Sequence, residues 1–180
     1  MTVETRPATR FTYREISLDD RLREVARELG TKPALIHGDR VLTYAELDER
    51  TDRLAAALAR RGVARGDRVT LFMPNSIDFV VAFYGTLRAG GVVNPINAQS
   101  KEREVRFQLE DSGAKALLVH EALWPVIEPL RGELAGSTTG QSASCTKTAF
   151  APESSTWKRT SRSFDWALIG FTTPPALSVA

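Results

Sequence analysis

Residues 66–97 read GDRVTLFMPNSIDFVVAFYGTLRAGGVVNPIN, and the spacing of their apolar residues changes twice. Arg68 to Met73 is a short, nearly unbroken apolar run of the length of a buried strand, and Pro74 ends it. Asn75 is placed to cap a helix with Asp78 at its third position, and Ile77, Val80, Val81 and Tyr84 then recur at helical spacing. Phe79, Ala82 and Phe83 fill much of the remaining circumference, so the helix is expected to be buried. Gly90-Gly91 ends it, and Val92-Val93 opens the next extended segment. Strand, helix and strand in this order predict parallel strands joined by right-handed helical crossovers, an α/β layer architecture.

The same grammar extends in both directions. Toward the C-terminus, Ser100 can cap a helix that runs through Asp111, Ala114 to Val119 is a strand, and Glu121 to Leu134 is a helix interrupted at Pro125. Toward the N-terminus, Thr43 and Glu46 form a Thr-x-x-Glu capping box. Leu47, Leu54 and Leu58 mark the buried face of the helix that follows, and Arg60-Arg61-Gly62 closes it after about five turns. Ala34 to His37 and Val41 to Tyr44 flank Gly38-Asp39 as a hairpin. Ser17 opens an amphipathic helix through Leu22, Val25, Ala26 and Leu29, with Gly30 as its expected left-handed stop.

The chain has 180 residues, 42% apolar and 26% charged, which suits one domain with a real core and leaves no room for a second full one. Residues 1–135 balance 20 Lys or Arg against 20 Asp or Glu, and residues 136–180 carry four against two, which gives the net charge of +2. No clustered basic stripe follows, so a nucleic-acid protein is not expected. Cys145 is the single cysteine and has no metal-ligand partner at suitable spacing, so neither an internal disulfide nor a structural zinc site is expected, and a reducing cytoplasm is. The N-terminal text mixes charges of both signs and lacks an apolar core, while the uncharged run Trp166 to Ala180 is broken by Pro174-Pro175. Neither reads as a targeting signal or a membrane span.

Four features together resemble one family. They are LTYAELDERTDRLAAALARRGVARGDRV (Leu42 to Val69), LFMPNSIDFVVAFYGTLRAGGVVNPIN (Leu71 to Asn97), FQLEDSGAKALLV (Phe107 to Val119), and the order in which these stand. The text resembles the N-terminal part of adenylate-forming acyl-CoA synthetases, with NPIN and the later Gln-Leu-Glu-Asp-Ser-Gly-Ala-Lys segment closer to the fatty and aryl acid branch than to peptide synthetases. The match runs from about Phe11 to Leu134.

The resemblance implies residues 1–135 as a partial N-terminal domain. It also implies a two-step reaction: a carboxylate attacks the α-phosphorus of ATP, and the thiol of coenzyme A then displaces AMP from the acyl-adenylate. ATP, magnesium and coenzyme A are the implied cofactors, and a small carboxylic acid the implied substrate. In that family the phosphate loop ending in Pro-Lys-Gly, the later acidic and aromatic motifs and the catalytic lysine all lie downstream of the matched text. None is matched here, so no catalytic, cofactor-binding or metal residue is assigned, and the 180-residue polypeptide is expected to be inactive by itself. A stand-alone binding module reusing the same α/β layers is the alternative.

After Ala135 the text changes: Ser and Thr make up 16 of the last 45 residues against 13 of the preceding 135. Residues 1–135 use seventeen Arg and three Lys, whereas residues 136–180 use two of each. Residues 136–180 are therefore expected to form an irregular tail, out of frame or disordered, that does not complete the sheet. Within it, Ser137-Thr138-Thr139-Gly140 with Lys147 nearby only echoes a phosphate loop, since no strand precedes it and no Pro-Lys-Gly follows.

The remaining candidates have plain structural readings. His37 sits at the hairpin turn, and His120 ends a predicted parallel strand at the edge where α/β proteins bind ligands. Cys145 has neither a helix start nor a histidine beside it to activate the thiol. Arg60, Arg61, Arg65 and Arg68 could attract a phosphate, but a helix C-terminus explains such charge by its dipole. A small enzyme built on His120 and Cys145 lacks a base and nucleophile constellation.

Overall fold

The computed structural model describes residues 14–130, 148–149 and 166–170. Helix α1 spans Leu18–Leu29 and is capped by the Ser17 side chain, which accepts from the Asp20 N–H. Gly30 ends it in the right-handed helical region at φ −48°, not in the left-handed conformation expected from sequence. Strands β1 (Pro33–His37) and β2 (Arg40–Thr43) form the hairpin, and Gly38 adopts φ 58° in its turn, where a side chain would be strained.

Helix α2 (Tyr44–Arg60) starts on the expected capping box. The Thr43 hydroxyl accepts from the Glu46 N–H, and the Glu46 carboxylate accepts from the Thr43 N–H at 2.8 Å. That backbone hydrogen bond is the main cause holding the Glu46 carboxyl below its usual pKa.

Strand β3 (Arg68–Phe72), helix α3 (Ile77–Arg88), strand β4 (Val92–Ile96), helix α4 (Glu102–Ser112) and strand β5 (Ala116–His120) follow in strict alternation. Two helix starts differ from expectation. Ser76, not Asn75, caps α3 by accepting from the Phe79 N–H. Lys101, not Ser100, occupies the cap of α4, and the Glu104 carboxylate accepts from its N–H at 2.8 Å. Both shifts are of one residue: at α3 the Ser76 hydroxyl reaches forward to a free N–H, and at α4 the Glu104 carboxylate reaches back to one. The helix expected over Glu121 to Leu134 is a single α turn, α5 (Trp124–Ile127), between 3₁₀ turns at Glu121–Leu123 and Glu128–Leu130. Pro125 lacks the N–H a longer helix would need, and residues 131–134 lie outside the described part.

The strand order is β4-β3-β5, with β3 parallel to both neighbours: Leu71 is level with Pro95 on one side and Leu118 on the other. Alternation of side chains along these strands divides the core into two faces. Val69, Leu71, Met73, Ala116 and Leu118 pack with α1, α2, α3 and the hairpin, whereas Phe72, Leu117 and Val119 pack with Val105 and Leu109 of α4 and with Trp124, Ile127 and Leu130.

The sheet continues past Ala135, where the residue pattern shows no strand. Strand β6 (Thr148–Ala149) and strand β7 (Trp166–Gly170) extend it, β7 running antiparallel to β5 with Leu118 opposite Leu168. The expectation that nothing after Ala135 joins the sheet therefore fails at these two segments. The rest of residues 131–180 lies outside the described part.

Two features clamp the helical layer. At Gly85 of α3, an added Cβ would lie 2.7 Å from Leu54 Cδ2 and 3.0 Å from Leu54 Cβ, so α2 and α3 touch through a glycine. Gly85→Val is expected to lower unfolding free energy by about 3 kcal/mol, because the Leu54 Cβ is fixed to its backbone and cannot retreat. Urea titration reads this directly, and a loss below about 0.5 kcal/mol would contradict the close approach.

The second clamp is Arg88, whose side chain is only 3% exposed. It donates to Asp19 of α1 at 2.6 Å and to the Asp48 carboxylate and Asp52 of α2 at 2.6 and 2.8 Å. It also reaches the Asp48 carbonyl at 3.0 Å. Burial works against this charge, but the hydrogen bonds to Asp48 and Asp19 outweigh it, and the net pKa is raised.

Candidate functional site

In an open α/β sheet, ligands sit outside the carboxyl ends of parallel strands where neighbouring connections leave toward opposite faces. That condition holds on both sides of β3. Its own connection leads to α3 on one face, while those of β4 and β5 lead to α4 and α5 on the other. The pairs Phe72 with Ile96 and Phe72 with Val119 close the register, so Met73, Asn97 and His120 stand side by side one position beyond.

Most polar groups on this edge are already committed to the turns that form it. The Asn97 side chain accepts from the Gln99 N–H at 2.9 Å, and its carbonyl accepts from the Ser100 N–H at 2.9 Å. The Ser76 hydroxyl caps α3. His120 Nδ1 accepts from the Ala122 N–H at 3.2 Å. His120 thus does end the parallel strand as expected, and its first role is to cap the 3₁₀ turn after β5.

A buried carboxylate lies just behind this edge, and sequence reading placed it only at the third position of the helix. Asp78, in the first turn of α3, is 4% exposed, and its Oδ2 lies 3.5 Å from Arg40 of β2. Among the described residues its Oδ1 has no hydrogen-bond partner. Arg50 of α2 feels it as a neighbouring charge, although burial is the larger influence and lowers the Arg50 pKa. The carboxylate, Arg40 and Arg50 bind the hairpin and α2 to the start of α3. The only signal in sequence was an acidic residue near the start of an otherwise apolar helix.

The other candidates lie elsewhere or outside the described part. Arg60, Arg61, Arg65 and Arg68 surround the end of α2 and the entry to β3, the amino end of the sheet. Arg61 is the C-cap itself, and the Arg68 guanidinium lies over Gly113, 3.2 Å from where a Cβ would stand. His37 ends β1 and is exposed. Cys145, Ser137 to Gly140 and Lys147 fall outside the described residues. A groove of about 310 Å³ near α1 is lined by Arg14, Ile16, Asp20, Arg23, Glu24 and Arg27, and its charges pair internally through Glu24 with Arg14 and Arg21.

Among the described residues no group of three or more His, Cys, Asp or Glu is placed to hold a metal ion. The described residues therefore show no donor set for the magnesium that the resemblance implies, and what they supply is the sheet edge.

Fold and edge together define an α/β protein with helices on both faces of its parallel strands. The model of the AMP-binding enzyme family matches residues 22–174, and the chain belongs to that family. Among curated relatives it is 41% identical over 92 residues to the long-chain-fatty-acid–CoA ligase FadD13 of Mycobacterium tuberculosis, covering 51% of this chain and 18% of that protein. It is 36% identical over 112 residues to the 3-hydroxybenzoate–CoA/4-hydroxybenzoate–CoA ligase of Thauera aromatica, covering 62% and 21%. Among solved structures, the anthranilate CoA ligase AuaEII in complex with anthranoyl-AMP aligns with a TM-score of 0.61 and 31% identity over 63% of this chain and 22% of that one. The Mycobacterium tuberculosis fatty acyl CoA synthetase aligns at 0.60 with 37% identity, covering 63% and 23%. The chain thus spans about a fifth of the length of these curated relatives. Its fold is that of the N-terminal part of adenylate-forming acyl-CoA ligases.

Proposed function

We propose that this chain is the front portion of a cytoplasmic enzyme that joins a fatty or aromatic carboxylic acid to coenzyme A, using ATP and magnesium and passing through an acyl-adenylate. The observation that carries this reading is the AMP-binding match over residues 22–174, together with similarity to both a fatty-acid and a hydroxybenzoate CoA ligase. The described residues act as scaffold. Helices α2 and α3 brace one face of the sheet and α4 the other, which leaves the loops after Phe72, Ile96 and His120 free to border a ligand. No described helix is long and apolar enough to cross a bilayer.

A chimera tests the scaffold role. Residues 14–130 replace the aligned segment of the Mycobacterium tuberculosis ligase, and acid-dependent exchange between ATP and pyrophosphate is measured. Exchange within about tenfold of the parent is expected, because a scaffold contributes placement rather than reacting groups. A chimera that folds with the parent's cooperativity yet shows no exchange would overturn the reading.

A further inference from the structure

The three loops at the carboxyl edge are held differently. After β4, the Asn97 side chain and carbonyl accept from the Gln99 and Ser100 N–H groups, and after β5 His120 Nδ1 accepts from the Ala122 N–H. Each of these two loops is tied by its own first residue. The loop after β3, which is flanked by parallel strands on both sides, has no such tie. Among the described residues Pro74 and Asn75 make no hydrogen bond. Both are exposed, so the Asn75 carboxamide offers two donors and an acceptor at the centre of the edge.

The first turn of α3 places this loop. Ser76 caps the helix, and Asp78 follows two residues later. Cα–Cβ bonds in a helix tilt toward its N-terminus, so the Asp78 side chain lies on the side of the loop. It is 4% exposed, and its Oδ2 lies 3.5 Å from Arg40, whose side chain is 52% exposed. A buried carboxylate with so long an ion pair, and with Oδ1 unpaired among the described residues, contributes little to stability. An apolar residue of similar volume serves a core at least as well. What the pair supplies is orientation, because it joins the first turn of α3 to the start of β2.

We propose that Asp78 is a positioning residue, which holds the start of α3 so that residues 73–76 present the Asn75 carboxamide to substrate at the edge. The proposal rests on the reading of the chain as part of an acid–CoA ligase. A carboxamide suits the polar, uncharged base or ribose of a nucleotide better than an alkyl or aryl chain, so the substrate concerned is ATP. Asn75 makes the contact, and Asp78 acts through the loop.

Two measurements test this. In the 180-residue chain, the Phe79 and Val80 N–H groups donate to Ser76 and report on the turn. Asp78→Asn is expected to speed amide exchange at Phe79 and Val80 by about tenfold and to leave Leu71 and Leu118 within about threefold. Arg40→Met should do the same, and it gives the reading if Asp78→Asn does not fold. Uniform acceleration, or none, would overturn the anchoring. In the chimera carrying residues 14–130, Asp78→Asn and Asn75→Ala should each raise KM for ATP about tenfold, with kcat and KM for the acid within about threefold. The double variant should stay near the single ones rather than reach about a hundredfold, because both changes remove the same contact. A parental KM for ATP in Asn75→Ala, or a double variant at the product of the singles, would overturn the proposal. An unaltered chimera without exchange would instead overturn the ligase reading, and amide exchange would still decide whether Asp78 holds the turn.

Discussion

Arg88→Met is expected to lower the unfolding free energy by about 3–5 kcal/mol, the range found when one partner of a buried ion pair is removed. The Arg88 side chain is 3% exposed, and its guanidinium bridges Asp19 of α1 to Asp48 and Asp52 of α2 from the last turn of α3. Without it, Asp19 keeps only Arg23, 3.3 Å away, and Asp48 loses the guanidinium that pairs with it. Asp52 matters less, being 57% exposed and solvated. Chemical denaturation measures the loss. Arg88→Met combined with Asp48→Met should cost clearly less than the sum of the single changes, because the second removes a stranded charge. A single-variant loss under about 1 kcal/mol would show that water replaces the bridge and that the helical layer does not depend on it.

Leu118→Ala is the second large effect. Leu118 lies in the central part of β5, 0% exposed, on the face shared with Leu71 of β3 and with α2 and α3. Removing its three outer carbons leaves a cavity between a paired strand and two braced helices, which have little freedom to collapse, so a loss of about 3–5 kcal/mol is expected. Leu117→Ala, on the opposite face, opens its cavity toward α4 and the short turns of residues 121–130. That layer is thinner and can move inward, so its cost should lie nearer about 2 kcal/mol. Thermal or urea unfolding of the two variants side by side checks the order. The reverse order would mean that α4 and its neighbours, not α2 and α3, form the firmer wall.

The change of apolar spacing from residue 66 onward made the parallel sheet legible, because a short unbroken apolar run ended by a proline is distinct from the period of 3.6 that follows it through Arg88. Caps at Ser17 and Thr43 were legible for a similar reason: a side-chain acceptor three residues before a free N–H is local chemistry. Boundaries at α3 and α4 slipped by one residue where several cap-forming residues stand in succession, as in Asn75-Ser76. The sequence could not show that Asp78 is buried beneath Arg40, because that depends on how the hairpin folds over α3. Nor could it show the pairing of Trp166–Gly170 with β5, since a long-range antiparallel register leaves no local periodic mark in a Ser- and Thr-rich text. His120 was legible as a strand end, and its capping bond to Ala122 was not.

The central claim is a division of labour, in which this chain provides the sheet edge and the groups that handle phosphate are supplied by residues beyond those described. Acid-dependent exchange of labelled pyrophosphate into ATP by the purified 180-residue polypeptide tests it most directly, with medium- and long-chain fatty acids and benzoate-like acids as substrates. The account predicts exchange at the level of a heat-killed control with every acid. Exchange clearly above that control would contradict it and would place adenylating residues within this chain.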